Sequence, residues 1–286
     1  MSFDKLIGNN KVKQTLTNMI QAKTVTHSYL FTGIEGIGKT LFAIEFAKII
    51  LQQEESDTTP DLVIIQPEEN KIKIEQIRNM QSKILEKPII SSKKVYIIKD
   101  ADTMTKEAQN CLLKTLEEPP QYIVIILIGK SEDSFLTTIK SRCAKIVFQP
   151  IPEEELKAFL EKEHGIKTTP IFLEATGGSI QKALKIQENS ETYNQINEIF
   201  TNIDSKNLLD VLNKIEGLYN NKEEISEILD YINLIFFKKA KEYVGTQEAG
   251  RYARYMQEIE NTKNNLKANC NYDMTIDNLL YNIWEK

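Results

Sequence analysis

Cysteine is scarce in this 286-residue sequence, and the three present, Cys111, Cys143 and Cys270, stand far apart. None forms a C-x-x-C pair, so neither a zinc-finger spacing nor a disulfide framework is on offer. Long hydrophobic runs are missing too. No stretch of about 18 apolar residues can span a bilayer, and the opening MSFDKLIGNN has no apolar signal region, so we expect a cytoplasmic protein with no membrane partner. An excess of positive charge is also absent. The net charge of −5 argues against strong autonomous nucleic-acid binding, which draws on clustered Lys and Arg to displace counterions. A local basic face stays open. What remains is ordinary for a folded chain: 41% hydrophobic and 27% charged residues, with length for two domains or three small ones.

The first half alternates strand-like and helix-like segments. Val12, Leu16, Met19 and Ile20 make one helical face. SYLFTG is a short strand ending at Gly33, and LFAIEFAKIILQ is apolar on most sides, which predicts a well-buried helix. EESDTTPD reads as a loop around Pro60. LVIIQP, VYIIK, YIVIILIG and KIVFQP read as four further strands, with helices IEQIRNMQSKILEK and EAQNCLLKTLEEPP between them. Near-continuous β-branched runs separated by helices imply a parallel sheet covered on both faces. From Ile151 the character changes to short helices. From about Glu191 the pattern is helical throughout, as in Ile225, Ile228, Leu229 and Ile232.

The chemistry-bearing motif is GIEGIGKT, Gly33 to Thr40, which fits G-x-x-x-x-G-K-[ST] in full. Its glycines let backbone N–H groups turn toward phosphates, Lys39 can reach the β/γ-phosphates, and the Thr40 hydroxyl can ligate Mg²⁺. The loop lies between a strand and a helix, whose N-terminus adds a favourable dipole. The candidate nucleotide-binding residues are Gly33, Gly36, Ile37, Gly38, Lys39, Thr40 and Leu41. Hydrolysis needs more. In P-loop enzymes an Asp near the end of a neighbouring strand helps hold the metal. Here VYII ends in Lys99, a cation where a cation-holding anion is required, and like charges at contact are costly. Asp100 and Asp102 are the carboxylates nearby. The chain therefore reads as able to bind ATP or ADP, with Mg²⁺ held weakly or not at all, and as poor at cleaving it. Arg142, in Ser141-Arg142-Cys143, reads by itself as a surface or interdomain ion pair.

HSYLFTGIEGIGKT, VYIIKDADTMTKEAQNCLLKTLEEPP and TTIKSRC, in this order and spacing, closely resemble the delta-prime subunits of bacterial DNA polymerase III clamp loaders, a branch of the AAA+ ATPases. The resemblance covers residues 1 to about 185, and LLKTLEEPP and SRC are its most specific parts. It implies a RecA-like P-loop domain over 1–150, a small helical lid over 151–190 and an all-α collar for oligomerisation over 191–286. It implies a stator that helps load the sliding clamp onto primer-template DNA beside gamma/tau-type motor subunits and a delta subunit, with Arg142 donated as an arginine finger to a neighbour's ATP site. The alternative is an active motor subunit using Asp100 or Asp102 for the metal. A DNA-binding AAA+ protein outside replication is disfavoured by the acidic balance.

Several positions depart from the family. Aligned without gaps, Lys99 falls on the metal-binding Asp and Asp100 on the water-activating Glu. The sensing residue after the fourth strand falls at Gly129 to Ser131, without the usual Thr or Asn. In GGSIQKAL the lid arginine is replaced by Gln181, followed by Lys182. The family's zinc cysteines are missing between the loop helix and the second strand, so zinc is not expected. Cys111 is assigned to an apolar helix face, Cys143 to the end of the arginine motif, and Cys270 to a buried position. His27 leads into the phosphate-loop strand, and His164 is read as a surface residue.

Overall fold

The computed structural model describes residues 3–53, 59–203 and 215–284. Five strands form one sheet: β1 (Ser28–Thr32), β2 (Leu62–Ile65), β3 (Lys94–Ile98), β4 (Ile123–Gly129) and β5 (Ala144–Val147). Their order is β2-β3-β4-β1-β5, and every neighbouring pair is parallel. The expected parallel sheet is thus present. β1, β3 and β4 are buried along their whole length, which is why their sequences run apolar instead of alternating.

Alternate residues of these strands feed two different cores. On one face Tyr29, Phe31, Val95, Ile97, Val124 and Ile126 meet α1 (Asn10–Gln21) and α2 (Lys39–Leu51) through Leu16, Phe42 and Phe46. On the other, Leu30, Tyr96, Ile98, Ile125 and Leu127 meet α3 (Ile74–Ile84) and α4 (Lys106–Glu117) through Ile77, Met80, Leu112 and Leu116. α4 starts where the Thr105 hydroxyl accepts the Ala108 N–H, and it stops before Pro119 and Pro120. The short α5 (Thr137–Lys140) precedes β5, and α6 (Glu153–His164) follows it, burying Leu156 and Leu160.

The chain divides into two compact units, Met1–Lys167 with Gly177–Lys182, and Thr168–Thr176 with Ala183–Lys286. The second is helical: α7 (Pro170–Thr176), the body of α8 (Ile180–Glu188), α9 (Ser190–Thr201), α10 (Glu216–Asn220), α11 (Ile225–Glu242), α12 (Gln247–Lys267) and α13 (Tyr272–Trp284). Ile225, Ile228, Leu229 and Ile232 do form one buried face, continued by Ile235 and Phe236. That face meets Phe200 at 5.7 Å and Tyr252 at 6.0 Å between ring centres with Phe236. The expected loop 54–61 lies outside the described residues over 54–58, as does the helical expectation over 204–214.

One expectation is corrected. Cys270 is exposed, not buried. The apolar face of α12 ends at Leu266, Asn269 takes a left-handed φ of 59°, and Cys270 sits in the turn that follows. No helix among the described residues is long and apolar enough to cross a membrane.

Candidate functional site

The carboxyl end of β1 delivers the phosphate loop between two parallel neighbours. Thr32 is in register with Gly129 of β4 and with Val147 of β5. Gly33 follows at φ 149°, where a Cβ would lie 2.7 Å from the Phe148 carbonyl oxygen. Gly38 has φ 94° and begins α2 without any side-chain cap, so the first N–H groups of that helix face the loop interior for an anion to meet. Ile37 is 1% exposed and belongs to the core, so its contribution to a ligand is its backbone. Leu41 is exposed.

Lys39 is the loop's central cation. Its Nζ donates to the Gly33 and Ile34 carbonyls, both at 2.7 Å, and the residue is buried. Burial lowers its pKa, opposed by the carboxylates of Asp102, Glu35 and Asp100.

At the end of β3 the three candidate groups part company. The Lys99 amide donates to Ile65 at 2.8 Å, extending the sheet by one residue. By strand alternation its side chain falls on the α2 face with Val95 and Ile97. Asp100 takes a left-handed φ of 47°, is exposed, and opens the short 3-10 turn Ala101–Thr103. Its carbonyl accepts the Thr103 hydroxyl at 2.7 Å. Asp102, on that turn, points inward. Its Oδ1 is buried without a hydrogen-bond partner and lies 3.3 Å from where a Cβ on Gly129 would stand. It is also the carboxylate with the largest pull on Lys39.

The end of β4 carries no polar sensor. A Cβ at Gly129 would strike the Phe135 ring at 2.7 Å, and Ser131 is used to cap the turn at Asp133. Lys130 instead reaches back to the phosphate loop, with its Nζ 2.7 Å from Glu35 Oε2. That hydrogen bond raises the Lys130 pKa against the opposing effect of burial.

The other rim comes from the glycine pair Gly177 and Gly178, both at positive φ. The amides of Ile180 and Gln181 donate to the Gly36 carbonyl at 3.1 and 3.3 Å. A Cβ at Gly36 would lie 2.2 Å from Ser179 Oγ. Gln181 thus meets the loop through its main chain, while the residue itself is exposed.

Arg142 lies at the far end of the sheet's last connection. Its guanidinium pairs with Glu117 of LLKTLEEPP at 2.6 Å and donates to the Thr138 carbonyl at 2.9 Å. Its own carbonyl accepts the Ser28 hydroxyl at 2.6 Å. His27 is exposed ahead of β1, and His164 is exposed at the end of α6.

The glycine cradle, uncapped helix start and Lys39 fit a phosphate chain. For a divalent cation the pocket offers the Thr40 hydroxyl and the unpartnered Asp102 oxygen. Among the described residues no three His, Cys, Asp or Glu side chains gather into a metal-binding group.

Proteins of similar sequence include several DNA polymerase III subunits. A family profile described as DNA polymerase III, delta subunit matches residues 8–152. A Bacillus subtilis DNA polymerase III subunit delta' is 32% identical over 196 residues, 63% of this chain and 60% of that protein. A Buchnera aphidicola DNA polymerase III subunit gamma is 29% identical over 244 residues, 77% of this chain and 64% of that protein. A Bacillus subtilis subunit tau is 28% identical over 216 residues, 67% of this chain and 38% of that protein. The chain therefore spans less than two thirds of the length of these relatives. In structure it is similar to a Thermotoga maritima DNA polymerase III gamma subunit-related protein, with a TM-score of 0.59 and 19% identity over 94% of this chain and 98% of that one. That likeness shows the fold alone, a RecA-like α/β unit followed by helices. With the profile over half its length and its phosphate-loop unit inside the match, the chain belongs to the DNA polymerase III delta-subunit family, as a member of the delta-prime type.

Proposed function

We propose that this chain is a non-motor stator of the replicative clamp loader. It binds ATP or ADP in the Gly33–Leu41 loop, turns it over weakly or not at all, and lends Arg142 to the ATP site of a neighbouring gamma/tau-type motor subunit. Through that complex, which also holds a delta subunit, it supports loading of the sliding clamp onto primer-template DNA. The division of labour follows residues 1–150 for the nucleotide, 151–190 for a lid and 191–286 for a collar.

One observation carries the reading: an intact phosphate loop shares its sheet with a strand that is followed at once by Lys99 and an exposed Asp100. In this reading the Lys99 ammonium takes the place of the carboxylate that would hold the metal, and the water-activating position carries the shorter Asp100, held in a left-handed turn. A bound nucleotide supplies a charged phosphate chain, and this chain's own groups orient and neutralise it. Steady-state ATP turnover of the purified protein tests the proposal. We expect none above background, and turnover that Lys39→Ala abolishes would overturn the stator.

A second reading, an active motor, is favoured by Asp102. Its buried, unpartnered Oδ1 is available to a cation that the Lys99 position repels. Turnover lost in Asp102→Asn, and enhanced in Lys99→Asp, would decide for the motor.

A further inference from the structure

The geometry points to Glu35 as a built-in anion that sets the nucleotide preference of this pocket, favouring a nucleoside diphosphate over a triphosphate. The inference rests on the nucleotide-binding reading and adds a specificity to it.

Glu35 is the third residue of GIEGIGKT, between Gly33 and Gly36. Its carboxylate does not turn away to solvent alone. It is tied at 2.7 Å to Lys130, the first residue beyond β4. Gly129, just before that lysine, is in register with Thr32, just before the loop. The ion pair therefore bridges two adjacent strand ends in front of the cradle, at the side of an open α/β sheet where ligands enter. Glu35 is also among the carboxylates that act on Lys39.

Lys39 is the side chain that meets the β- and γ-phosphates in such loops. Lys130 is the second cation on the same rim. In this chain Lys130 is already paired with a carboxylate supplied by the loop itself, and that carboxylate also acts electrostatically on Lys39. A diphosphate fills the cradle formed by the start of α2 and stops short of the Glu35–Lys130 pair. A triphosphate brings a further anionic group toward the same two cations. Glu35 must then give up Lys130 or stand against a like charge, and either outcome disfavours the longer ligand. Exposed ion pairs contribute little to stability in general, and both partners here are exposed. The pair matters for where it places a negative charge.

The test is a titration of the full chain with ribose-labelled fluorescent ADP and ATP, with and without Mg²⁺, in wild type, Glu35→Gln and Lys130→Gln, each checked for folding by thermal melt. Wild type is expected to hold ADP about tenfold more tightly than ATP. Glu35→Gln should bring the ratio close to one by gaining ATP affinity. Lys130→Gln, which removes the cation paired with the carboxylate, should widen it. A wild-type ratio of one, or a ratio that Glu35→Gln leaves unchanged, overturns the specificity while nucleotide binding stands. Failure of all three proteins to bind either nucleotide overturns both.

Discussion

The guanidinium of Arg142 and the carboxylate of Glu117 meet at 2.6 Å. The two family motifs that are most specific in the sequence, LLKTLEEPP and SRC, are therefore one structural feature. The ion pair and the arginine-finger readings are compatible. Arg142 is partly exposed, and Glu117 with the Thr138 carbonyl fixes its direction before any partner arrives.

Arg142→Ala should leave the fold intact, since a pair this exposed is worth about 0.5 kcal/mol. If the proposed finger role holds, it should lower ATP turnover of the assembled complex at the neighbouring site by about 10³-fold. Glu117→Gln, which leaves the guanidinium its Thr138 and Ser141 partners, should give a smaller loss of about tenfold through misplacement. Unchanged turnover in both variants would retire the finger.

Asp61 should govern part of the acid limb of stability. The residue is fully buried, and its carboxylate accepts the amides of Ile89, Ile90 and Ser91 at 2.8, 2.8 and 2.7 Å. Burial pulls its pKa up. The three amides and Lys94 pull it down by more, so the carboxyl titrates below the usual range of an aspartate. A folded value below the unfolded one gives stability that is present above about pH 4 and lost as pH falls through the folded value. Urea unfolding should show Asp61→Ala about 3 kcal/mol less stable at pH 7, with a shallower decline below pH 4. An unchanged acid limb would show that the three amides do not depend on the charge.

Gly36 and Gly177 make a matched pair. Both have positive φ, 76° and 56°, but only at Gly36 would a Cβ meet neighbours, Ser179 and Gln181, whereas nothing lies within 4 Å at Gly177. Gly177→Ala should cost about 1 kcal/mol from backbone strain. Gly36→Ala should cost about 2 kcal/mol or more and should speed amide exchange at Ile180 and Gln181, whose bonds to Gly36 it breaks. Equal effects at the two sites would mean that the contact with Ser179 yields without cost.

The thiols should react in the order of their surroundings. Iodoacetamide at pH 8 should label exposed Cys270 first, half-buried Cys111 more slowly, and Cys143 only on unfolding. Burial pushes the Cys143 thiol up to about 11, with the Ser28 hydroxyl acting in the opposite sense. Early labelling of Cys143 in the folded chain would contradict its place under the Arg142 turn.

The strands and the phosphate loop were legible because their signals are local. Runs such as IVIILIG and the spacing of GIEGIGKT need no knowledge of the rest of the chain. The metal side of the pocket was not legible in the same way. An ungapped reading sets Lys99 and Asp100 at the chemistry, while the left-handed turn at Asp100 brings in Asp102 as a further carboxylate, with a buried, unpartnered Oδ1. The Lys130–Glu35 pair was hidden because it joins residues far apart in sequence across two strand ends. Its only trace in the sequence was a charge where a small polar sensor was expected. Cys270 was misplaced because free cysteine is usually buried, whereas the left-handed Asn269 ends the helix just before it and leaves it exposed.

The glycines of the phosphate loop answer to two masters. Gly33 is wedged against Phe148, and Gly36 against Ser179, by the scaffold alone. A lineage that drifted out of nucleotide use would still be obliged to keep both. In such descendants those two glycines would outlive the ligand that the loop once held.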